Sequence, residues 1–200
     1  MMSDTYKPAS IAKIQDQKAK MRRSLLKARQ AMPPKVWQQK CDRICNHLTQ
    51  WPVFHSARNV LAYCSFRNEP DLGQLLAKHR SWGLPRCQDN DLIWHRWFPN
   101  CTWPLHSGTY GIIEPDPTSP IVDPKKVDLI LVPAVACDIR GYRLGYGGGF
   151  YDRMLAQPCW QGKPTIGIVF EFARLPQIPK NSWDQPLNGI CTESGLFLSR

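Results

Sequence analysis

The sequence predicts a single α/β domain: an open, mostly parallel sheet with helices on both faces, in a Rossmann-like three-layer arrangement. Three observations predict it. Short apolar, strand-like runs alternate with helix-patterned segments along the chain. The run VDLILV at residues 127–132 is almost wholly apolar, as a strand covered on both faces requires. A turn crowded with glycines stands between a strand and a helix, which is where α/β sheets bind ligands. With 200 residues and 42% hydrophobic content, the chain supplies one core and one domain.

Residues 1–10 read as a flexible tail and residues 11–200 as the domain. In residues 11–31, Ile14, Met21, Leu25, Ala28 and Met32 recur near helical spacing, and Pro33 and Pro34 stop the helix. Pro34 suits the first turn of a second helix reaching about Thr49, with Val36, Cys41, Ile44, Cys45 and Leu48 inward. Residues 59–66 (NVLAYCSF) read as a strand and residues 70–79 as a helix carrying Leu72, Leu75 and Leu76. Gly83 to Pro85 reads as a break, residues 92–98 (LIWHRWF) as a strand, and the proline-rich stretch 99–126 as an irregular surface crossing. After the strand at 127–132 come a glycine-rich loop at 143–150, a helix from Tyr151 to about Gln157, and a strand at 165–172. The last thirty residues read as short segments joined by prolines.

Composition removes several function classes. No apolar stretch approaches the roughly 18–20 residues of a spanning helix, and the first twenty residues hold no apolar signal-like run. Eight cysteines occur without a CxxC, and five histidines without an HExxH, so neither a zinc site nor a disulfide framework is expected. Reduced thiols in a cytoplasmic, monomeric protein are the expectation. Lysine and arginine number 26 against 16 acids, a net charge of +10. Between Lys13 and Arg29 lie seven basic residues (Lys13, Lys18, Lys20, Arg22, Arg23, Lys27 and Arg29) and one acid, Asp16. Such a helix suits RNA, the phosphates of a nucleotide, or plain solvation.

The most informative segment runs from Asp138 to Arg153, DIRGYRLGYGGGFYDR. Gly145, Gly147, Gly148 and Gly149 let backbone N–H groups approach an anion, Arg143 adds a full charge, and a helix start follows. Asp152 stands where a carboxylate holds Mg²⁺ against phosphate oxygens. The segment lacks the GK[ST] of a P-loop, and Phe150 occupies the third glycine position of a dinucleotide fingerprint. The reading is a phosphate cradle; the alternative is a flexible Arg/Gly-rich turn.

The segment Gly141-x-Arg143-Leu144-Gly145-x-Gly147-Gly148-Gly149-Phe150-Tyr151-Asp152-Arg153 resembles the hallmark of the 5-formyltetrahydrofolate cyclo-ligase family. Other pieces resemble that family in its order: Lys18 and Arg22 in the first helix, Tyr63 to Asp71 around Glu69, and Trp82-Gly-Leu-Pro85. Gly108 to Pro115 with Tyr110 and Glu114, Val132-Pro133, and Trp183-Asp184-x-Pro186-Leu187 follow. Departures are Asn188 where many members carry a second acid, the short spacing from Trp82 to Pro85, and the leader through Pro8.

The resemblance implies ATP- and Mg²⁺-dependent conversion of 5-formyltetrahydrofolate to 5,10-methenyltetrahydrofolate through a phosphorylated formyl group, with no nucleic-acid or membrane partner. It implies that Lys18, Arg22, Arg143, Leu144, Gly145, Tyr146, Gly147, Gly148, Gly149, Phe150 and Tyr151 hold ATP. Asp152 and Asp184 would hold the metal, and Arg143 and Asp152 would be catalytic. Cys64, Glu69, Tyr110, Tyr146, Gly147, Gly148, Gly149 and Phe150 would line the folate, with Glu69 on the pterin donors. A basic RNA-binding protein without activity remains the contrasting expectation, and a kinase or ligase acting on another small acid stands behind it.

Overall fold

The computed structural model describes residues 8–78, 81–108 and 111–199. Three helices come first, α1 (Pro8–Gln30), α2 (Pro34–Gln50) and α3 (Pro52–Ser56). They are followed by β1 (Asn59–Leu61), α4 (Gly73–Leu76), β2 (Ser81–Gln88), β3 (Asp91–Trp97), β4 (Leu105–Ser107) and β5 (Ile113–Pro115). Next stand β6 (Leu129–Pro133), β7 (Ala136–Asp138), β8 (Arg143–Leu144) and α5 (Phe150–Ala156). The chain ends with β9 (Thr165–Ile168), β10 (Arg174–Leu175), β11 (Gly189–Thr192) and β12 (Gly195–Leu198).

Seven strands form the main sheet in the order β12-β11-β9-β6-β1-β2-β3. Its five inner strands run parallel, and β12 and β3 close the edges antiparallel. Successive residues of β6 enter opposite cores. Leu129 and Leu131 pack with α2, α3 and α4, while Ile130 and Val132 pack with α5 and with Met21, Leu25 and Leu26 of α1. The three-layer expectation therefore holds, with the apolar run of β6 at its centre.

The pairing in this sheet corrects several local readings. Gly83 to Pro85 is no break but the middle of β2, paired Gly83↔Arg96 and Pro85↔Trp94 with β3. Gly83 lies under Leu61, where a Cβ would come within 2.2 Å of Leu61 Cδ2. The Gly83 carbonyl accepts from Ala62 N, so Pro85, of the same parity, turns its missing N–H toward the side where β1 has already ended. The strand expected over residues 59–66 stops at Leu61, and the remainder leaves the sheet to build a cleft wall. The helix expected over 70–79 is a single turn, and the strand expected over 165–172 gives way after Ile168 to a 3₁₀ turn at Glu171–Ala173. The crossing at 99–126 contains the β4–β5 hairpin, and the proline-joined C-terminal segments contain the β11–β12 hairpin that completes the sheet.

Gly83→Ala is expected to lower stability by about 1–3 kcal/mol, because Leu61 is fully buried and has nowhere to retreat. A thermal melt checks this; an unshifted midpoint would mean that Leu61 repacks freely.

Candidate active site

Chain order reverses between β1 and β6, which are neighbours in the sheet, and a cleft of about 470 Å³ opens beyond the carboxyl ends of the central strands. Tyr63, Cys64, Phe66, Arg67 and Glu69 after β1, Pro133 at the end of β6, Pro85 and Cys87 of β2, the loop after β8 and the inner face of α1 line it.

The glycine loop is pinned by its carbonyls. Arg22 Nε donates to Gly145 O at 2.8 Å, and Arg153 Nη1 donates to Gly148 O at 2.8 Å. Gly147 (φ +115°) and Gly149 (φ +69°) adopt the left-handed conformations that glycine enters at least cost. The N–H groups of Gly147, Gly148 and Gly149 make no hydrogen bond among the described residues. A run of unpaired N–H groups beside cationic side chains is an anion-binding concavity. The following helix α5 has only seven residues, so the backbone and the arginines supply most of the field.

Two ion pairs stand at this end. Arg143, almost fully buried, reaches Asp152 Oδ1 at 2.9 Å and donates to Gln185 O at 3.0 Å. Lys18 Nζ meets Asp184 Oδ2 at 2.5 Å, with both side chains nearly buried. Asp152 Oδ1 also accepts from Gln185 N, and Asp184 Oδ2 from Asn181 N. The second oxygens, Asp152 Oδ2 and Asp184 Oδ1, have no partner among the described residues. No group of three or more His, Cys, Asp or Glu positioned for a metal occurs among the described residues. Two cleft-lining carboxylates, each with a spare oxygen, nonetheless fit Mg²⁺, which takes one or two carboxylates and completes its shell with water and phosphate oxygens.

Glu69 lines the cleft beside Tyr146. It is 3% exposed, and its Oε2 accepts from Phe66 N at 3.0 Å. The Tyr146 hydroxyl and the Arg29 guanidinium stand near it. Burial pushes its carboxyl up to about 7, against the pull of Arg29, the Phe66 N–H and the nearby Tyr146 hydroxyl. The turn before it is unusual: Arg67 and Asn68 have φ of 48° and 55°. Arg29 Nε donates to Arg67 O, and Trp37 Nε1 donates to Asn68 O and Glu69 O, which holds that turn in place. Burial raises the phenols of Tyr146 and Tyr151 and pushes the thiols of Cys64 and Cys87 up to about 12 and about 11. These thiols stay protonated, so they shape the wall rather than act as nucleophiles.

Comparisons with known proteins show the family. Residues 14–193 match the 5-formyltetrahydrofolate cyclo-ligase family. The chain belongs to that family. Its members are enzymes. The 5-formyltetrahydrofolate cyclo-ligase of Haemophilus influenzae is 33% identical over 144 residues, covering 67% of this chain and 75% of that one. The one from Mycolicibacterium smegmatis is 29% identical over 190 residues, covering 88% and 93%. The solved structure of Aquifex aeolicus 5,10-methenyltetrahydrofolate synthetase superposes with a TM-score of 0.79 at 30% identity, covering 92% of this chain and 93% of that one. A Mycoplasma pneumoniae synthetase superposes at 0.68 with 20% identity, a likeness of fold.

Within this cyclo-ligase fold, the residues singled out from sequence converge. Lys18, Arg22, Cys64, Glu69, Arg143, Leu144, Gly145, Tyr146, Gly147, Gly148, Gly149, Phe150, Tyr151, Asp152 and Asp184 all line the one cleft. Tyr110 lies outside the described residues. The structure adds three residues to which the sequence reading gave no site role. Arg29, 3% exposed, bonds the Tyr146 hydroxyl and the carbonyls of Arg67 and Ala134, tying the glycine loop to the Glu69 turn. Its signal was present in the sequence, since Lys18, Arg22 and Arg29 at i, i+4 and i+11 share one helix stripe. Glu114, buried in the cleft wall, accepts from Cys87 N and faces Arg86 at 3.7 Å. Asn181 lines the cleft beside Asp184 and carries no sequence signal.

Among the described residues, no helix is long and apolar enough to cross a membrane.

Proposed function

We propose that this chain converts 5-formyltetrahydrofolate to 5,10-methenyltetrahydrofolate, consuming ATP with Mg²⁺ and releasing ADP and phosphate. The observation that carries the reading is the glycine loop. Three consecutive unpaired N–H groups line one cleft with Lys18, Arg22 and Arg143, and Glu69 lines the same cleft beside Tyr146.

The chemistry needs positioning and charge neutralisation more than a protein nucleophile. The formyl oxygen attacks the terminal phosphorus and the bond to ADP breaks, leaving an imidate-type phosphate. Nitrogen N10 then attacks the formyl carbon, phosphate leaves, and N10 gives up its proton. In this reading the amides of Gly147, Gly148 and Gly149 hold phosphate oxygens. Lys18 and Arg22 anchor the nucleotide, together with Leu144, Gly145, Tyr146, Phe150 and Tyr151. Arg143 balances charge on the group in transfer. Asp152 and Asp184 would hold Mg²⁺, which when bound screens the phosphate charge. Glu69 accepts hydrogen bonds from the 2-amino and N3–H groups of the pterin. Tyr146 and Phe150 border the rings, and Cys64 lines the wall. We read the protein as a monomer of the cytoplasm, whose eight unpaired thiols suit a reducing compartment.

Purified protein given ATP, Mg²⁺ and 5-formyltetrahydrofolate is expected to produce the ultraviolet absorbance of the methenyl product only when all three are present. Replacing Lys18 and Arg22 together by Ala is expected to raise the KM for ATP about tenfold or more and leave the folate KM nearly unchanged. The RNA-binding reading loses ground because Lys18, Arg22 and Arg29 turn inward. It would prevail if the wild type showed no turnover and bound RNA with a steep salt dependence.

A further inference from the structure

Asn181 presents a problem that the cleft by itself does not solve. The residue is 2% exposed, yet both Oδ1 and Nδ2 of its amide are buried without a hydrogen-bond partner. An unpaired buried amide is costly, and such groups are rare in native proteins. The strap carrying it is tethered at both ends. Ile178 N donates to Asp138 Oδ2 and Arg140 Nη2 to Ile178 O at one end. At the other, Gln185 N donates to Asp152 Oδ1 and Arg143 Nη1 to Gln185 O. Between these tethers Asn181 N donates to Asp184 Oδ2, the oxygen that also takes Lys18 Nζ. The backbone is thus pinned beside a cation and a carboxylate, and this cleft-lining residue carries an unpaired, buried amide.

We propose that Asn181 is a ligand-contacting residue for the metal-bound phosphate chain of the nucleotide. Its Nδ2 donates to a phosphate oxygen, and its Oδ1 accepts from a water on the hydrated divalent cation. A neutral amide suits this place because the ligand presents both an anion and a hydrated cation, and Lys18 and Asp184 already supply one charge of each sign. In the reading above the folate lies toward Glu69, whose surroundings are Phe66 N, Tyr146 and Arg29, so it is not the group that completes Asn181. The inference rests on the ATP reading above.

The test is calorimetry with Mg²⁺ and a non-hydrolysable ATP analogue, alongside thermal melts of the unliganded protein. Asn181→Ala is expected to bind the analogue about tenfold more weakly, a loss of about 1.4 kcal/mol. Folate affinity should be unchanged, and the unliganded midpoint should be equal or higher, since the unpaired amide is gone. Asn181→Asp keeps an acceptor but sets a negative charge against phosphate, so it should lose more affinity for the analogue without Mg²⁺ than with it. Wild-type analogue affinity in Asn181→Ala would overturn the proposal. So would a lowered midpoint with equal losses for folate and analogue, which marks a structural role. If the wild type binds no analogue at all, the ATP reading falls and this inference falls with it; if it binds and Asn181→Ala is indifferent, only the inference falls.

Discussion

Asp152→Asn is expected to reduce kcat by about a thousandfold or more, roughly 4 kcal/mol of barrier at 1.36 kcal/mol per decade. Two losses combine. The neutral amide is a far weaker partner for a divalent cation, and phosphoryl transfer relies on neutralising charge on the phosphates. Arg143 also loses its carboxylate at 2.9 Å, so its guanidinium is freed to drift from the transfer position. The fold should survive, because asparagine still offers an oxygen to Gln185 N and Asp152 is partly solvent-facing. Turnover, circular dichroism and Mg²⁺ titration check this together. Asp184→Asn should act in the same direction but less severely, since Arg143 then keeps its carboxylate partner. Full activity in a folded Asp152→Asn protein would remove Asp152 from the metal and leave the Arg143 pair as a structural brace.

Glu69→Gln is expected to weaken 5-formyltetrahydrofolate binding about tenfold to a hundredfold while leaving ATP affinity almost untouched. A carboxylate accepting two N–H donors is a charge-assisted contact, whereas glutamine turns an NH₂ toward one of those donors. The pH dependence is a sharper test. Burial raises the Glu69 carboxyl to about 7, so near neutrality it is shared between acid and carboxylate. Pterin donors need the carboxylate, so wild-type folate affinity should climb as pH rises through about 7, with proton release on binding below that. The same shift has a consequence for stability. The folded pKa lies above the ordinary value of 4.5, so the folded chain binds the extra proton between the two values. That contribution is fully present below about 4.5 and is lost as pH rises through about 7. Glu69→Gln should therefore flatten the folate pH profile and melt higher than wild type at pH 8, with the difference shrinking toward pH 5. A variant that keeps the wild-type folate pH profile would show that Glu69 does not meet the pterin.

How much of this was legible in the sequence depends on whether a requirement is local. The glycine loop was legible because φ values of +115° and +69° at Gly147 and Gly149 are demands of the local backbone, and glycine is the residue that meets them. Lys18 and Arg22 were legible as one helix face. Arg29 lies on the same stripe, but its task depends on the carbonyls of Arg67 and Ala134 and on the Tyr146 hydroxyl, all distant in sequence. The break expected at Gly83 to Pro85 failed for a similar reason. Glycine and proline interrupt a strand in isolation, yet here the close approach of Leu61 requires the one, and the early end of β1 tolerates the other.

The sequence by itself determined the alternation of strands and helices, the fully apolar centre of the sheet, the phosphate-type loop and its basic flank. Each follows from side-chain periodicity or from backbone freedom within a few residues. Only the tertiary structure decided which groups face one another. Asp184 meets Lys18 across 166 positions, and Arg143 and Asp152 brace the strap that carries Asn181. The tertiary structure also buries Glu69 deeply enough to move its proton to about 7. Burial, partner choice and the resulting charge state depend on the whole packed chain, because desolvation and Coulomb interaction act through space rather than along the sequence.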